Sequence, residues 1–253
     1  MKIFIISILS ISMLFSADKK KGKLPDFSGF SKKIELKNLI EPGLENFQKN
    51  KIDPLQIDQI KNKALEFTPL PVTGDEIVVM ETSRGTLILK LFPELAPNHC
   101  NNFKKLANSG FYDGTRFHRV IPGFMIQGGD PNSRNENRAT HGTGGRAGKF
   151  FGLGNEEDPS TWLIPQEFSN TPHVKGILSM ARTNDPNSAS SQFFVCHDNA
   201  NFLDNNYTVF GKVIDGLDII DQIANVAKDQ NDNPLEKVEM SIRIAKRSEV
   251  LSE

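Results

Sequence analysis

A chain of 253 residues with 38% hydrophobic content has room for one large domain, or one domain with an appendage, and a sizeable core. Near-equal acids and bases leave a formal charge of −1, which excludes a global field steering the protein to nucleic acid or to an anionic membrane. The two cysteines, Cys100 and Cys196, are compatible with one disulfide in an exported protein. Each sits inside an apolar periodic segment, however, and two buried free thiols are the expectation. Both have a histidine neighbour, His99 and His197, but no CxxC or HExxH spacing supports a metal site, and no cofactor is implied.

In chain order, Met1 to Ala17 carries one Lys and then an apolar run interrupted only by Ser, the pattern of a secretory signal peptide. The run is shorter than the roughly 20 residues a comfortable membrane span needs. Phe15 is awkward three residues before a cut after Ala17, so an uncleaved N-terminal anchor is the alternative. Residues 18–74 form an extension: Asp18 to Leu70 holds eleven Lys, no Arg and eight acids. Within it, Asp53-Pro54-Leu55-Gln56 reads as a helix start, followed at helical spacing by Ile57, Ile60, Ala64 and Leu65.

The texture changes at Asp75, and residues 75–248 read as the folded domain. Ile77 to Met80, a turn at Ser83-Arg84-Gly85, and Thr86 to Phe92 predict a hairpin. Pro97 opens a helix with Cys100, Phe103, Leu106 and Ala107 on one face and Gly110 as its stop. Phe117 to Asp130 then places two short apolar runs around a Pro-Gly turn. By alternation, Phe117 shares a face with Arg119, His118 with Val120, and Met125 with Gln127. Asn132 to Ser160 is a polar, glycine-rich loop excursion, with Arg146 to Lys149 read as solvated. Further strands are expected at Gly176 to Ala181, Gln192 to Cys196, Thr208 to Val213 and Val238 to Ala245. An amphipathic helix is marked by Leu217, Ile219, Ile220, Ile223 and Val226. About eight short strands and two helices predict an all-β fold, a closed barrel with helices over its ends.

The run Phe117-His118-Arg119-Val120-Ile121 with Gly123-Phe124-Met125-Ile126-Gln127-Gly128-Gly129-Asp130 resembles the signature of cyclophilin-type peptidyl-prolyl cis/trans isomerases. The resemblance continues in order through Ala96-Pro97, Asn102-Phe103, Gly142 to Gly145, Glu167-Phe168, Leu178 to Arg182, Ser191 to Phe194, and Val209 to Val213, over about Glu76 to Lys246. It implies a closed eight-stranded antiparallel barrel capped by two helices, with the site on its outer surface. It further implies that Arg119 is catalytic and that Phe124, Met125, Gln127, Phe194 and Leu203 form the proline pocket. Ala181, Arg182 and Gln192 would lie along the peptide groove, His118 beside the Arg, and Phe202 and Tyr207 where many eukaryotic members carry Trp and His. Phe and Tyr there are the bacterial pattern, and Arg182 replaces the common eukaryotic Asn.

The implied function is isomerisation of Xaa-Pro bonds in unfolded exported proteins, in the bacterial periplasm, with proline-containing peptides as partners. Cyclosporin is expected to bind weakly, because Phe202 lacks an indole N–H. The alternative is a peptide-binding module or chaperone with little turnover. Without the resemblance, Arg119 would read as a solvated strand residue and the aromatic set as plain core. Gly142 to Gly145 lacks the Gly-Lys-Ser/Thr ending of a phosphate loop and reads as a turn in the groove wall.

Overall fold

The computed structural model describes residues 71–251. The expected signal peptide, nearly all of the Lys-rich extension and the helix beginning near Asp53 therefore lie outside the described residues.

Nine strands form one curled, wholly antiparallel sheet. They are β1 (Glu76–Thr82), β2 (Gly85–Leu91), β3 (Thr115–Arg116), β4 (Arg119–Ile121), β5 (Met125–Gly128), β6 (Ile177–Met180), β7 (Phe193–Cys196), β8 (Val209–Asp215) and β9 (Glu239–Lys246). Their spatial order is β3-β9-β1-β2-β8-β6-β7-β5-β4. The two end strands, β3 and β4, are separated in the chain only by Phe117 and His118. Phe117 N donates to Val238 O at 2.9 Å and His118 N to Gln127 O at 3.0 Å. This two-residue break corrects the expected alternation. Phe117 does not share a face with Arg119 but packs in the main core together with Val120.

Helix α1 (Pro97–Asn108) and helix α2 (Leu217–Ala224) fall where periodicity puts them, and a short third helix, α3 (Arg247–Val250), was not expected. No side chain at Ala96 caps α1. The distant Glu167 does so instead, accepting from Asn98 N and His99 N at 3.0 Å and pairing with His99 Nδ1 at 2.7 Å. That satisfies N–H groups every helix start leaves without partners. The apolar face of α1 seals the interior of the sheet. Phe103 there meets Tyr112, Phe193 and Phe210 at ring-centroid distances of 5.2, 5.5 and 5.4 Å.

Period-two alternation sorts the side chains of the middle strands into two layers. Ile126, Leu178, Met180, Phe193 and Val195 enter the main core. Met125, Ile177, Phe194 and Cys196 go to the other face, where they join Phe92, Leu203, Tyr207 and Val209 in a separate apolar cluster. On β1 both faces are buried, because Ile77 and Val79 lie under Val250 and Leu251. Cys100 and Cys196 belong to different clusters and are free and buried. Burial pushes both thiols up, Cys196 to about 12. Neither is expected to react with a thiol reagent in the native protein, whereas both react once it is unfolded in guanidinium chloride. Rapid labelling of the native protein would contradict the assigned burial.

The excursion after β5 has no strand but three short 3₁₀ turns, at Pro131–Arg134, Arg138–Thr140 and Pro159–Thr161. Its Arg146 to Gly148 portion corrects the solvated reading, which holds for the exposed Lys149. Arg146, Ala147 and Gly148 are buried, Ala147 N donates to Trp162 O at 2.9 Å, and the Arg146 guanidinium lies 5.6 Å from the Phe111 ring centre. Among the described residues, no helix is long and apolar enough to cross a membrane, and no group of three or more His, Cys, Asp or Glu could hold a metal ion.

Candidate functional site

Strand register builds the site. Arg119 on β4 is directly opposite Gln127 on β5, Gln127 is opposite Phe194 on β7, and Phe194 is opposite Ser179 on β6. Residues directly opposite in antiparallel strands share a face. A cation, an amide and an aromatic ring thus stand in one row across three strands. The next row on that face sets Ile121 against Met125 and Met125 against Cys196. The turn between β4 and β5 closes with Phe124 N donating to Ile121 O at 3.0 Å. Pro122 supplies its first central residue, and Gly123, at φ +76°, supplies the left-handed conformation of the second.

A shallow pocket opens on this face, lined by Phe124, Met125, Gln127, Ala181, Arg182, Phe194, Leu203 and Tyr207. Its walls are apolar rings and aliphatic chains, suited to a small neutral ring. Phe194 lies parallel to the His173 imidazole, with centroids 6.1 Å apart and planes at 17°, and the Tyr207 ring meets it edge-on at 5.9 Å. His173 is itself fixed by Asp204 Oδ1 at Nδ1 and Ser179 Oγ at Nε2, both at 3.0 Å. These three residues have the composition of a Ser-His-Asp triad. With Ser179 and His173 fully buried, no acyl group reaches them.

Gln127 is held by a relay from the loop. Its Nε2 donates to Gln192 Oε1 at 3.0 Å, while Gln192 Nε2 donates to Gly142 O and Gly144 O at 3.0 and 2.7 Å. The side-chain oxygen of Gln127, a residue of the pocket lining, is thereby left outside the relay as an acceptor. The loop itself is gripped by the buried Asp130, whose carboxylate accepts from Asn132 N at 2.8 Å, from Gly144 N at 3.2 Å and from Gly142 N. Burial lifts the Asp130 pKa despite those three donors. A Cβ on Gly144 would come within 2.5 Å of Asp130 Oδ1, so the close approach requires glycine there.

Arg119 is partly buried, and burial pulls its pKa down. Its Nε lies 4.0 Å from Asp232 Oδ2, and Lys228 Nζ ties the same carboxylate, at 2.8 Å, to Val120 O, at 3.0 Å. Sequence reasoning missed Asp232. The polar run from Asp229 to Pro234 signals a turn, and nothing in it points to a residue more than a hundred positions earlier.

Of the other expected residues, Gln192 supports Gln127 from behind rather than lining the pocket. Phe202 lies outside the pocket lining and is 62% exposed, its ring 5.3 Å from that of Phe124. His118 is not on the pocket lining either. It is 4% exposed, sits beneath Gly142 and has both ring nitrogens buried without hydrogen-bond partners. Burial pulls its pKa down to about 3. Between about pH 3 and 6.5 the unfolded chain therefore binds a proton that the folded protein excludes, and stability falls as the pH drops through that window. Urea unfolding at about pH 7 and about pH 5 checks this, with His118→Gln expected to flatten the dependence by up to one proton; an unchanged slope would contradict the assignment.

Residues 77–244 match the family model described as cyclophilin type peptidyl-prolyl cis-trans isomerase/CLD. A "Probable peptidyl-prolyl cis-trans isomerase" of Brucella suis biovar 1 is 42% identical over 157 residues, 62% of this chain and 76% of the relative. Peptidyl-prolyl cis-trans isomerase ppi1 of Schizosaccharomyces pombe is 37% identical over 168 residues, 66% of this chain and 97% of the relative. The crystal structure of a Cryptosporidium parvum cyclophilin type peptidyl-prolyl cis-trans isomerase, determined in the presence of the dipeptide Ala-Pro, superposes with a TM-score of 0.58 at 32% identity. That superposition covers 67% of this chain and 99% of the other. With a family model spanning most of its length and a matching antiparallel sheet, the chain belongs to the cyclophilin-type peptidyl-prolyl cis-trans isomerases.

Proposed function

We propose that the pocket on the outer face of β5 and β7 seats the proline ring of an Xaa-Pro peptide and that Arg119 is the catalytic residue. The observation that carries this reading is the row Arg119–Gln127–Phe194. Rotation about a peptide bond faces a barrier of about 18–20 kcal/mol, because the C–N bond has partial double-bond character. In the twisted state that conjugation is lost and the prolyl nitrogen gains a lone pair. A guanidinium that donates a hydrogen bond to this lone pair stabilises the twisted state over either planar isomer, which is what lowers the barrier. Phe124, Met125, Phe194 and Leu203 hold the ring. The Gln127 carbonyl accepts a peptide N–H, and Gln192 keeps it turned that way. Ala181, Arg182 and Tyr207 border the flanking peptide. The reaction makes and breaks no covalent bond, so it calls for no nucleophile.

The C. parvum relative's Ala-Pro dipeptide supports a proline-containing ligand for this pocket. Peptide that binds without accelerated exchange would instead leave a binding module or chaperone. We also read the sheet as a closed eight-stranded barrel in which β3 and β4 are one bent strand, a reading supported by the Phe117 and His118 hydrogen bonds on either side of the break.

The pattern of residues 1–17 supports export to a bacterial periplasm, with 18–74 as an extension to the 75–248 domain. Uncatalysed prolyl isomerisation takes about 10–100 s, slow enough to limit the folding of exported clients. Fractionation of the native host with N-terminal mass mapping tests this: periplasmic protein beginning near Asp18 is expected, and cytoplasmic protein beginning at Met1 would overturn it. Cyclosporin is expected to inhibit weakly, and nanomolar inhibition would contradict the part assigned to Phe202.

A further inference from the structure

Of the residues lining the pocket, Arg182 alone is ionised. Its guanidinium is locked in place. Nε and one terminal nitrogen donate to Asn206 O at 3.1 and 2.8 Å, the other donates to Thr183 O at 2.7 Å, and the group lies 4.2 Å from the centre of the Tyr207 ring. Every one of these partners is neutral, and among the described residues no carboxylate lies within ion-pair distance of Arg182. The nearby acids are turned to other work. Asp204 holds His173, and Asp185 Oδ1 accepts from Asn187 N. The rim of the pocket therefore presents a fixed positive charge with no carboxylate in ion-pair contact.

We infer that Arg182 is a specificity-determining residue that favours substrates carrying an acidic residue next to the proline. The inference rests on the pocket being the proline site. Consecutive Cα atoms are about 3.8 Å apart, so the neighbours of a seated proline lie within a side-chain length of the rim. A flexible surface arginine gains little from an ion pair, because ordering two long side chains opposes it. Here the aromatic ring and the carbonyls have already fixed one partner, and that opposition is halved.

The test is kcat/KM by NMR exchange for otherwise identical peptides with Glu, Ala or Lys beside the proline, placed before it in one set and after it in another. Glu is expected to exceed Lys about threefold to tenfold in one of the sets at low ionic strength, and the ratio to shrink in concentrated salt. In Arg182→Gln the ratio is expected to collapse toward one, while Arg182→Lys, which keeps the charge but loses the fixed fork, retains only part of it. The ratio is taken within each variant, so a general loss of activity cancels, and the wild-type salt dependence stands without any variant. A Glu-to-Lys ratio near one in both wild-type sets, or an unchanged ratio in Arg182→Gln, overturns the inference. If the wild type fails to turn over the neutral Ala peptide, the pocket assignment itself fails, and the inference with it.

Discussion

Replacing Arg119 with alanine is expected to lower kcat/KM at least about a hundredfold, the size of loss seen when one preorganised donor to a developing charge is removed. The substitution should leave the fold nearly intact. Arg119 sits on β4 at an end of the strand order, and its nearest carboxylate, Asp232, retains Lys228 as a partner at 2.8 Å. Thermal unfolding of the variant is therefore expected within a few degrees of wild type, which separates lost chemistry from lost structure. Arg119→Lys should recover only part of the rate, because an ammonium places its donors differently from a rigid guanidinium fork. Full activity in Arg119→Ala with an intact fold would remove Arg119 from the mechanism.

Asp130→Ala is expected to have the largest effect on stability of any single polar substitution near the site. The carboxylate is fully buried and is the acceptor for the backbone N–H groups of Asn132, Gly142 and Gly144. Removing it leaves three donors without their partner, at a cost of about 1–3 kcal/mol for each one that water does not reach. A total of about 3 kcal/mol or more should appear as a lower urea midpoint with little change in slope. The same substitution loosens Gly142 O and Gly144 O, and hence the Gln192 amide and the Gln127 carbonyl that depend on them. KM should rise more than kcat falls, since this relay grips the peptide and does not touch the rotating bond. Asp130→Asn, which keeps one acceptor oxygen, should fall between wild type and Asp130→Ala. A stability loss below about 1 kcal/mol in Asp130→Ala would contradict the clamp.

The strands and the two longer helices were legible in the sequence because their signals are local. Alternation along Met125 to Gly128 and Phe193 to Cys196, and a 3.6-residue repeat through Cys100, Phe103, Leu106 and Ala107, each occupy a few consecutive positions. The resemblance named the residues of this face in order, and strand register shows how they meet: Arg119 and Gln127 face each other across one hairpin, and Phe194, distant in the chain, is adjacent to Gln127 across the sheet. What could not be read depends on contacts with no period. The capping of α1 by Glu167, the approach of Asp232 to Arg119, and the clamp from Asp130 through Gly142 to Gln127 all join loops to distant segments. Alternation also misplaces Phe117, because the strand breaks at the two residues between β3 and β4. The polar look of Arg146 to Lys149 concealed a guanidinium packed on Phe111.

Binding and rotation can be separated in one measurement. Two-dimensional NMR exchange spectroscopy on a labelled Ala-Ala-Pro-Phe peptide follows cis–trans exchange while the protein amide signals report occupancy of the pocket. With wild type, cis–trans exchange cross-peaks are expected, together with shifts at Gln127 and Phe194. With Arg119→Ala, the shifts should persist and the exchange cross-peaks should vanish. Exchange that survives in Arg119→Ala, or wild-type exchange without any shift at Gln127 and Phe194, would contradict the assignment of this pocket and this arginine to the twisted amide.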